Sequence, residues 1–367
     1  MRINRLTLQN FRNYGEQSVD FAPDNNVIVG ENAQGKTNLL EAIVMLSCAH
    51  SNRARADREM IRFGEGEARL TGEIDSRERA FSVELSLFSG KRRKIQINKV
   101  PAKRASDLTG VLGTVFFCPE DLMLIRDGAA ARRRFMDQSL SQLRPRYAAA
   151  LTEYNRLYEH KTRILRDSEE HPALRDTLPE FNTRMAIAGA VLIHYRARFC
   201  ARLADYATTA HRECSGGKEE LSLRYETVKA VTDPFAEQGV IIEQLLAHQK
   251  AHEQAELASR LCLSGPHKDD VAVDIGGENA RQYSSQGQTR TAALSFKLAE
   301  RDIYQEITGQ APVLLLDDVL SELDPRRQEF VLNRIGGGQV LITCCEEDRL
   351  GSLIAGKVLH VNNGRVL

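Results

Sequence analysis

The sequence of 367 residues predicts an α/β protein in which a mixed sheet with flanking helices carries an inserted helical segment. A short apolar strand, a glycine-rich loop and an amphipathic helix follow one another within residues 26–43. A second apolar strand, at residues 313–316, ends in two adjacent aspartates. Between residues 129 and 259, apolar side chains recur mostly three or four positions apart, which is the spacing of helices that bury one face.

The periodicity along the chain divides the predicted fold into three parts. Residues 1–125 alternate short strands with turns, and the period-2 pattern of residues 82–87 is typical of an antiparallel β-subdomain. Residues 126–260 form the inserted α-helical domain, which is either an antiparallel helical arm or an ordinary globular helical domain. Residues 261–367 return to the first domain, so the insertion interrupts one head.

The glycine-rich loop reads Gly-Glu-Asn-Ala-Gln-Gly-Lys-Thr and matches G-x-x-x-x-G-K-[ST] at every fixed position. Its glycines let successive backbone N–H groups turn toward phosphate oxygens, and the N-terminus of the next helix adds partial positive charge. Lys36 is expected to reach the β- and γ-phosphates, and the Thr37 hydroxyl to bind Mg²⁺. The pattern predicts a nucleoside triphosphate site rather than an ordinary glycine turn. The predicted binding residues are Gly30, Glu31, Asn32, Ala33, Gln34, Gly35, Lys36, Thr37 and Asn38.

The second apolar strand predicts the other half of this site. A buried parallel strand presents the residues at its carboxyl end to the ligand-binding edge of an α/β sheet. Asp317 is therefore expected to hold Mg²⁺, directly or through water, and Asp318 to act on the attacking water as general base or positioner. Lys36 and Asp318 are the predicted catalytic residues. A buried strand that happens to end in two aspartates is the alternative that the glycine loop disfavours.

Two short motifs flank the strand that ends in the aspartates. Ser285-Gln286-Gly287-Gln288 precedes a predicted helix at residues 292–303, and such a turn offers a hydroxyl and N–H groups to an anion. Ser-Glu-Leu-Asp follows the aspartates at residues 321–324. With the glycine loop, this order of motifs resembles the ABC-type ATPase superfamily. The resemblance implies an ATP-bridged homodimer, in which the signature turn of one subunit covers the nucleotide of the other. The implied residues are Ser285, Gly287 and Gln288 in the signature turn and Ser321 and Asp324 in the D-loop.

Six stretches resemble, in one order, the RecF family of bacterial recombination mediators, which belongs to the ABC-type and SMC-like ATPases. These stretches are residues 8–14, 30–38, 118–122, 132–137, 264–270 and 316–324. The resemblance implies an ABC-type ATPase head with an antiparallel β-subdomain and an inserted α-helical arm domain. It also adds Arg12 to the nucleotide-binding residues.

The same resemblance implies an activity and a set of partners. The expected protein is a weak, DNA-stimulated ATPase that uses ATP and Mg²⁺ and dimerises on double-stranded and gapped DNA at single/double-strand junctions. It would load RecA with RecO- and RecR-like partners in recombinational repair, replication-fork maintenance and the SOS response. The alternative is another SMC-like or ABC-type ATPase, transporter-associated or nuclease-coupled. The insertion at residues 126–260 disfavours a transporter subunit, and the short stretch after Asp324 disfavours a nuclease fusion.

Two departures from the ABC-type pattern predict slow hydrolysis. Asp318 stands where many such ATPases carry glutamate, and residues 340–344 contain no histidine. Each change should loosen the alignment of the attacking water, and a misplacement of 1 Å can cost about 10²-fold in rate. Hydrolysis is therefore expected to work as a release timer. In the loop that senses Mg²⁺, the sequence offers Glu120 or Asp121 in place of a glutamine.

Two basic runs are candidates for DNA contact. Residues 91–104 hold seven basic and no acidic residues, and residues 126–146 hold six arginines against two acids. The predicted DNA-binding residues are Lys91, Arg92, Arg93, Lys94, Lys103, Arg104, Arg132 and Arg133. Such clusters favour phosphate contacts, with little sequence preference and a steep dependence on salt. Two alternatives stay open, a solvated charged face and pairing of Arg132–Arg134 with carboxylates of the head.

Composition disfavours some classes of protein but does not indicate a function. The 50 basic and 50 acidic residues give a net charge of zero, so a nucleic-acid partner has to be argued from local patches. No run of 18 apolar residues, no signal peptide and no C-x-x-C spacing occur in the sequence. The expectation is a cytoplasmic, nucleoid-associated protein without a membrane partner.

Overall fold

The computed structural model describes residues 1–345 and 356–367. By its contacts the chain forms two compact units. The head unit comprises residues 1–123 and 293–367, and the inserted unit comprises residues 124–292. Residues 261–292, which the sequence prediction placed in the head, therefore lie in the inserted unit.

The strands and helices follow the alternation that the sequence predicts, with longer elements in most places. The strands are β1 (Arg2–Phe11), β2 (Tyr14–Asp20), β3 (Asn25–Val29), β4 (Glu67–Ser76), β5 (Arg79–Phe88), β6 (Lys94–Ile97), β7 (Val100–Pro101), β8 (Thr114–Phe117), β9 (Leu221–Glu226), β10 (Asp270–Ile275), β11 (Glu278–Asn279), β12 (Val313–Asp317), β13 (Val340–Cys344), β14 (Lys357–Asn362) and β15 (Arg365–Val366). The helices are α1 (Lys36–Cys48), α2 (Ala129–Leu143), α3 (Pro145–Asp167), α4 (Leu178–Ser215), α5 (Gln238–Ala251), α6 (Glu253–Ser259), α7 (Ala280–Tyr283), α8 (Gln286–Thr308) and α9 (Pro325–Arg334).

An antiparallel sheet forms one layer of the head unit, with strand order β2-β1-β4-β5-β6-β7. The predicted alternation in β5 is confirmed, because Val83, Leu85 and Leu87 are all buried. They share a core with apolar side chains of α1, including Leu39 and Ile43. This core anchors the helix that begins at the glycine loop.

A second sheet of the head unit positions the site, with strand order β15-β14-β3-β13-β12-β8. Its strands run parallel except for the pairing of β15 with β14. Because β3, β13 and β12 are parallel neighbours, their carboxyl ends meet at one edge. Gly30 follows β3 at that edge, Asp317 ends β12, and Thr343 lies opposite Asp317 in β13. The predicted mixed α/β architecture is confirmed.

Helices α3 and α4 of the inserted unit pack antiparallel. The rings of Tyr147 and Tyr195 meet edge to face, and Glu153 pairs with Arg184 nearer the turn between the helices. Pro145 begins a new helix, because Arg144 is extended and separates α2 from α3. The unit also contains the sheet β11-β10-β9, which an antiparallel helical arm alone would not include. Strand β9 was not predicted, although Leu221, Leu223 and Tyr225 alternate with polar residues.

A buried arginine joins the elements of the inserted unit. Arg196 of α4 donates to Asp137 Oδ1 on α2 at 2.7 Å and to Asp269 Oδ2 at 2.8 Å. It also donates to the carbonyl oxygen of Pro266 at 2.8 Å. Arg196 and Asp269 are 3% and 0% exposed, respectively, so each of these two charges depends on the other for its stabilisation.

His267, beside this network, is expected to make the inserted unit sensitive to acid. Its Nε2–H donates to the Cys262 carbonyl at 2.9 Å, and its Nδ1 accepts from the Tyr154 hydroxyl at 2.7 Å. Burial lowers the pKa of His267 to about 4, so the unfolded chain takes up a proton first as pH falls below about 6.5. Stability should therefore fall between pH 6.5 and 4.

Urea unfolding at pH 7 and pH 5 measures this contribution. The wild type should lose about 2 kcal/mol more than His267→Gln between these two values, because the variant lacks the titrating ring. Equal losses in the two proteins would contradict the assignment.

Among residues 1–345 and 356–367, no helix is both long and apolar enough to cross a membrane.

Candidate functional site

The loop between β3 and α1 leaves no room for a side chain at either of its two glycines. Gly35 has φ +120°, and a Cβ there would lie 2.7 Å from Asn13 Nδ2. A Cβ at Gly30 would lie 2.4 Å from the Val361 carbonyl oxygen. Glycine is therefore required at both ends of the loop by close approach, and at Gly35 also by conformation.

Polar side chains from the turn between β1 and β2 support this loop. Asn13 Nδ2 donates to the Gln34 carbonyl at 2.8 Å, and the Tyr14 hydroxyl donates to the Gly35 carbonyl at 3.1 Å. Asn38 Nδ2 donates to Asn13 Oδ1 at 2.9 Å. Asn13 and Tyr14 were not predicted as site residues, and their only signal in the sequence is their place in the stretch 8–14.

Lys36 is the buried cation of the site. Its Nζ donates to the carbonyls of Gly30 at 2.7 Å and Glu31 at 3.1 Å, and lies 3.8 Å from Asp318 Oδ2. The side chain is 4% exposed. The structure thus brings the two predicted catalytic residues together at the mouth of the loop, where an ammonium group favours phosphate oxygens.

Thr37 and Asp317 meet as predicted. The Thr37 hydroxyl donates to Asp317 Oδ1 at 3.0 Å, across a gap of 280 positions in the sequence. Burial raises the pKa of Asp317, while hydrogen bonds from Thr343 and Thr37 act in the opposite direction. A hydroxyl and a carboxylate oxygen are ligands that Mg²⁺ prefers, with phosphates and water completing its shell. The residues present fit that ion, and within residues 1–345 and 356–367 no cluster of three His, Cys, Asp or Glu competes for it.

Arg12 is held against α1. It has φ +54° and makes a two-bond pair with Glu41, at 2.7 and 2.8 Å, while its third donor reaches the Glu59 carbonyl at 2.7 Å. Glu41 is 3% exposed and also accepts from Ser51. Glu41 was not predicted as a site residue, and its signal in the sequence is an acid on the apolar side of a helix. A direct contact of Arg12 with nucleotide stays a prediction.

The structure separates the two candidates for the Mg²⁺-sensing loop. Asp121 Oδ2 accepts from the Cys118 backbone N–H at 3.0 Å and lies 4.0 Å from Lys297 Nζ. Glu120 is exposed. Asp121 is thus engaged in holding its own turn, which leaves Glu120 as the more accessible carboxylate.

The predicted signature turn is a capped helix N-terminus in the inserted unit. The Ser285 hydroxyl accepts from the Gln288 N–H at 3.2 Å, and Gln288 Oε1 accepts from the Ser285 N–H at 2.8 Å. This reciprocal pair is a capping box that opens α8. Ser285 is exposed, so its hydroxyl and the helix N-terminus face solvent.

The D-loop residues hold the chain after β12. The Ser321 hydroxyl donates to the Asp318 carbonyl at 2.6 Å, and Asp324 caps α9 by accepting from the Arg327 N–H at 3.1 Å. Both residues are exposed.

Most of the first basic run is available to a polyanion. Its exposed members among the predicted residues are Lys91, Arg92, Lys94, Lys103 and Arg104. Lys91 Nζ lies 4.1 Å from the centroid of the Phe88 ring, which orders the side chain. Arg93 is different, because its guanidinium is paired with Asp57, at 3.0 Å for Nε, and donates to the Ala49 carbonyl. A DNA contact by Arg93 conflicts with this pairing.

A DNA contact by Arg132 conflicts with the burial and pairing of its side chain. Arg132 is 5% exposed and donates to both carboxylate oxygens of Asp270, at 2.7 and 2.9 Å. Arg133 donates to the Asp269 carbonyl at 2.6 Å. The alternative of carboxylate pairing describes Arg132, with a partner in the inserted unit rather than in the head. These contacts stabilise α2 against β10.

Comparison with known proteins decides the family. The chain matches the RecF/RecN/SMC N terminal domain family over residues 2–361. It is 39% identical over 370 residues to the DNA replication and repair protein RecF of Agathobacter rectalis, covering 100% of this chain and 99% of that protein. The RecF of Clostridium acetobutylicum is 35% identical, with 100% and 99% covered. The chain belongs to the RecF family. The resemblance drawn from the motifs is thereby confirmed.

Solved structures agree with this assignment. A RecF structure described as the recombination mediator protein RecF-ATPrS in the RecFOR pathway superposes with a TM-score of 0.92 at 32% identity, covering 100% of this chain and 97% of that one. An Smc head bound to the C-winged helix domain of ScpA superposes with a TM-score of 0.58 at 16% identity, with 100% and 97% covered. The second likeness shows the fold alone, as a head shared by RecF and SMC proteins.

Proposed function

We propose that the chain is an ATP-driven switch that acts on DNA in recombinational repair and replication-fork maintenance. This proposal rests on two contacts at one edge of the parallel sheet, that of Thr37 with Asp317 and that of Lys36 with Asp318. The pairs assemble a triphosphate site from segments far apart in the sequence. Similarity over the full chain to RecF proteins, including one described with an ATP analogue, supports the choice of ATP.

Each residue of the site has a role in this proposal. The backbone of the glycine loop and Lys36 hold the β- and γ-phosphates, and Thr37 and Asp317 hold Mg²⁺. The ion neutralises charge on the phosphate oxygens. Asp318 orients the attacking water and accepts its proton. With aspartate in this role, and no histidine in residues 340–344, hydrolysis is slow and sets the lifetime of the bound state.

The nucleotide site is proposed to be completed by a second copy of the chain. The exposed Ser285 hydroxyl and the N-terminus of α8 are groups suited to bind an anion. The signature turn of each subunit would cover the γ-phosphate held by the other. ATP then favours the dimer, because the triphosphate binds more tightly to the closed dimer than to the monomer. Hydrolysis removes this difference in affinity and releases the dimer.

DNA is the proposed partner of the closed dimer. The exposed lysines and arginines of residues 91–104 flank β6 and β7 at the edge of the antiparallel sheet, in a stretch of sequence without acidic residues. Such a surface contacts phosphates irrespective of sequence. We place the activity at junctions between single- and double-stranded DNA, with RecO- and RecR-like partners and RecA loading, because the relatives are RecF proteins of the RecFOR pathway. DNA is proposed to stimulate the ATPase.

The salt dependence of DNA binding tests the basic surface. Replacing Lys91, Arg92 and Lys94 together with glutamine should lower the magnitude of the slope of log K against log[salt] by about 2 to 3, at about 0.9 for each lost phosphate contact. Arg93→Gln is the matched control, because the Arg93 guanidinium is already paired with Asp57. An unchanged slope in the triple variant would place DNA elsewhere.

Nucleotide control of DNA binding tests the switch itself. The anisotropy of a labelled gapped duplex should report an affinity at least about tenfold higher with ATP and Mg²⁺ than with ADP. Lys36→Met should abolish this difference. Equal affinities in the wild type would refute an ATP switch on DNA.

A further inference from the structure

One hydroxyl serves both aspartates of the site. Thr343 lies in β13 directly opposite Asp317 of β12 and is 1% exposed. Its Oγ1 donates to Asp317 Oδ1 at 2.9 Å and accepts from the backbone N–H of Asp318 at 2.8 Å. A hydroxyl has one proton to donate, and here that proton is committed to a carboxylate. None of the motifs in the sequence includes this residue.

The bond to the Asp318 N–H occurs at an unusual turn. Asp318 has φ +50° and ψ +10°, in the left-handed region that residues with a Cβ rarely adopt. Because of this turn, the Asp317 carboxylate lies beside the Thr37 hydroxyl and the Asp318 carboxylate lies beside the Lys36 ammonium group. Adjacent residues of a straight strand point to opposite faces, so without the turn the two carboxylates would not serve one site. The hydroxyl of Thr343 accepts a hydrogen bond from the part-buried N–H of Asp318 at this turn.

We propose that Thr343 is a positioning residue for ATP hydrolysis, which holds the Asp317 carboxylate for Mg²⁺ and the Asp318 carboxylate for water. The inference rests on the proposed ATPase function and adds a residue to it. Thr343 touches neither nucleotide nor water in this scheme and acts through the two aspartates. Partners that orient metal ligands commonly change metal affinity or activity by 10- to 100-fold when removed.

Two substitutions separate the hydroxyl from the packing of the side chain. Thr343→Val keeps the branched shape and removes the hydroxyl, whereas Thr343→Ser keeps the hydroxyl. The first readout is the affinity of a fluorescent ATP analogue with Mg²⁺ and with EDTA. Thr343→Val should reduce the Mg²⁺-dependent gain in affinity about tenfold and leave the affinity in EDTA unchanged. Thr343→Ser should retain the gain.

The second readout is single-turnover hydrolysis at saturating ATP. Thr343→Val should be about 10²-fold slower than the wild type, and Thr343→Ser close to it. A valine variant with wild-type hydrolysis and Mg²⁺ dependence would overturn the inference, as would one that loses nucleotide affinity equally in EDTA, since that marks a general structural defect. Absence of ATP binding in the wild type would instead refute the proposed function, and the inference with it.

Discussion

Replacing Lys36 with methionine is expected to slow ATP hydrolysis by about 10²- to 10³-fold, which is typical for removing one preorganised group that stabilises transition-state charge. Methionine keeps the apolar stem of this buried side chain and removes the ammonium group that lies 3.8 Å from Asp318. The fold should survive, because the partners of Nζ within the described residues are loop carbonyls and neighbouring groups of the site.

Phosphate release in a single turnover measures this effect, and the thermal midpoint verifies the fold. Lys229→Met is the matched control, since Lys229 is exposed and lies in the inserted unit. Hydrolysis by Lys36→Met at the wild-type rate would show that the loop is not the catalytic phosphate site.

The largest effect on stability is expected at Arg196. Arg196→Met leaves the carboxylates of Asp137 and Asp269 without their shared cation, and breaking a buried ion pair from one side costs about 3–5 kcal/mol. Asp269 is fully buried, and the neutral hydroxyl of Tyr225, which also donates to its Oδ2, does not replace the lost charge. The loss should fall on the inserted unit, because all of these residues lie within it.

Hydrogen exchange shows which of the two units loses stability. A single unfolding curve of a chain with two units does not distinguish them. Amides of α3 and α4 should exchange faster in Arg196→Met, while amides of β3 and β12 keep their protection. Arg198→Met, exposed on the same helix, should stay within about 0.5 kcal/mol of the wild type. Uniform loss of protection across both units would contradict the assignment.

The core of the nucleotide site was predictable because its motifs carry their own structural context. A strand before a glycine loop and a strand before Asp317 place both at the carboxyl edge of a parallel sheet, so the contact between Thr37 and Asp317 follows from the pattern. The residues that support this contact were not predictable. Glu41 and Thr343 stand in no short motif, and the stretch that contains Asn13 does not indicate its role. What these three residues do depends on which elements lie beside one another in the fold.

The basic runs show the limit of charge patterning. A run of arginines predicts positive potential, but whether each side chain is available depends on carboxylates elsewhere in the chain. Asp57 lies 36 positions from Arg93, and Asp270 lies 138 positions from Arg132. The C-terminal boundary of the inserted unit could not be predicted for the same reason. Strand β9 pairs with β10, and this pairing places residues after 260 in the inserted unit.

The solution mass of the protein tests the central claim most directly. It should be measured without nucleotide, with ATP and Mg²⁺, and with ADP, for the wild type, Lys36→Met and Ser285→Arg. The account predicts a dimer only with ATP, lost in both variants, because one removes a phosphate contact and the other blocks the signature turn. A wild type that stays monomeric in all three conditions, or a Ser285→Arg variant that dimerises normally, would contradict a nucleotide site completed by a second copy.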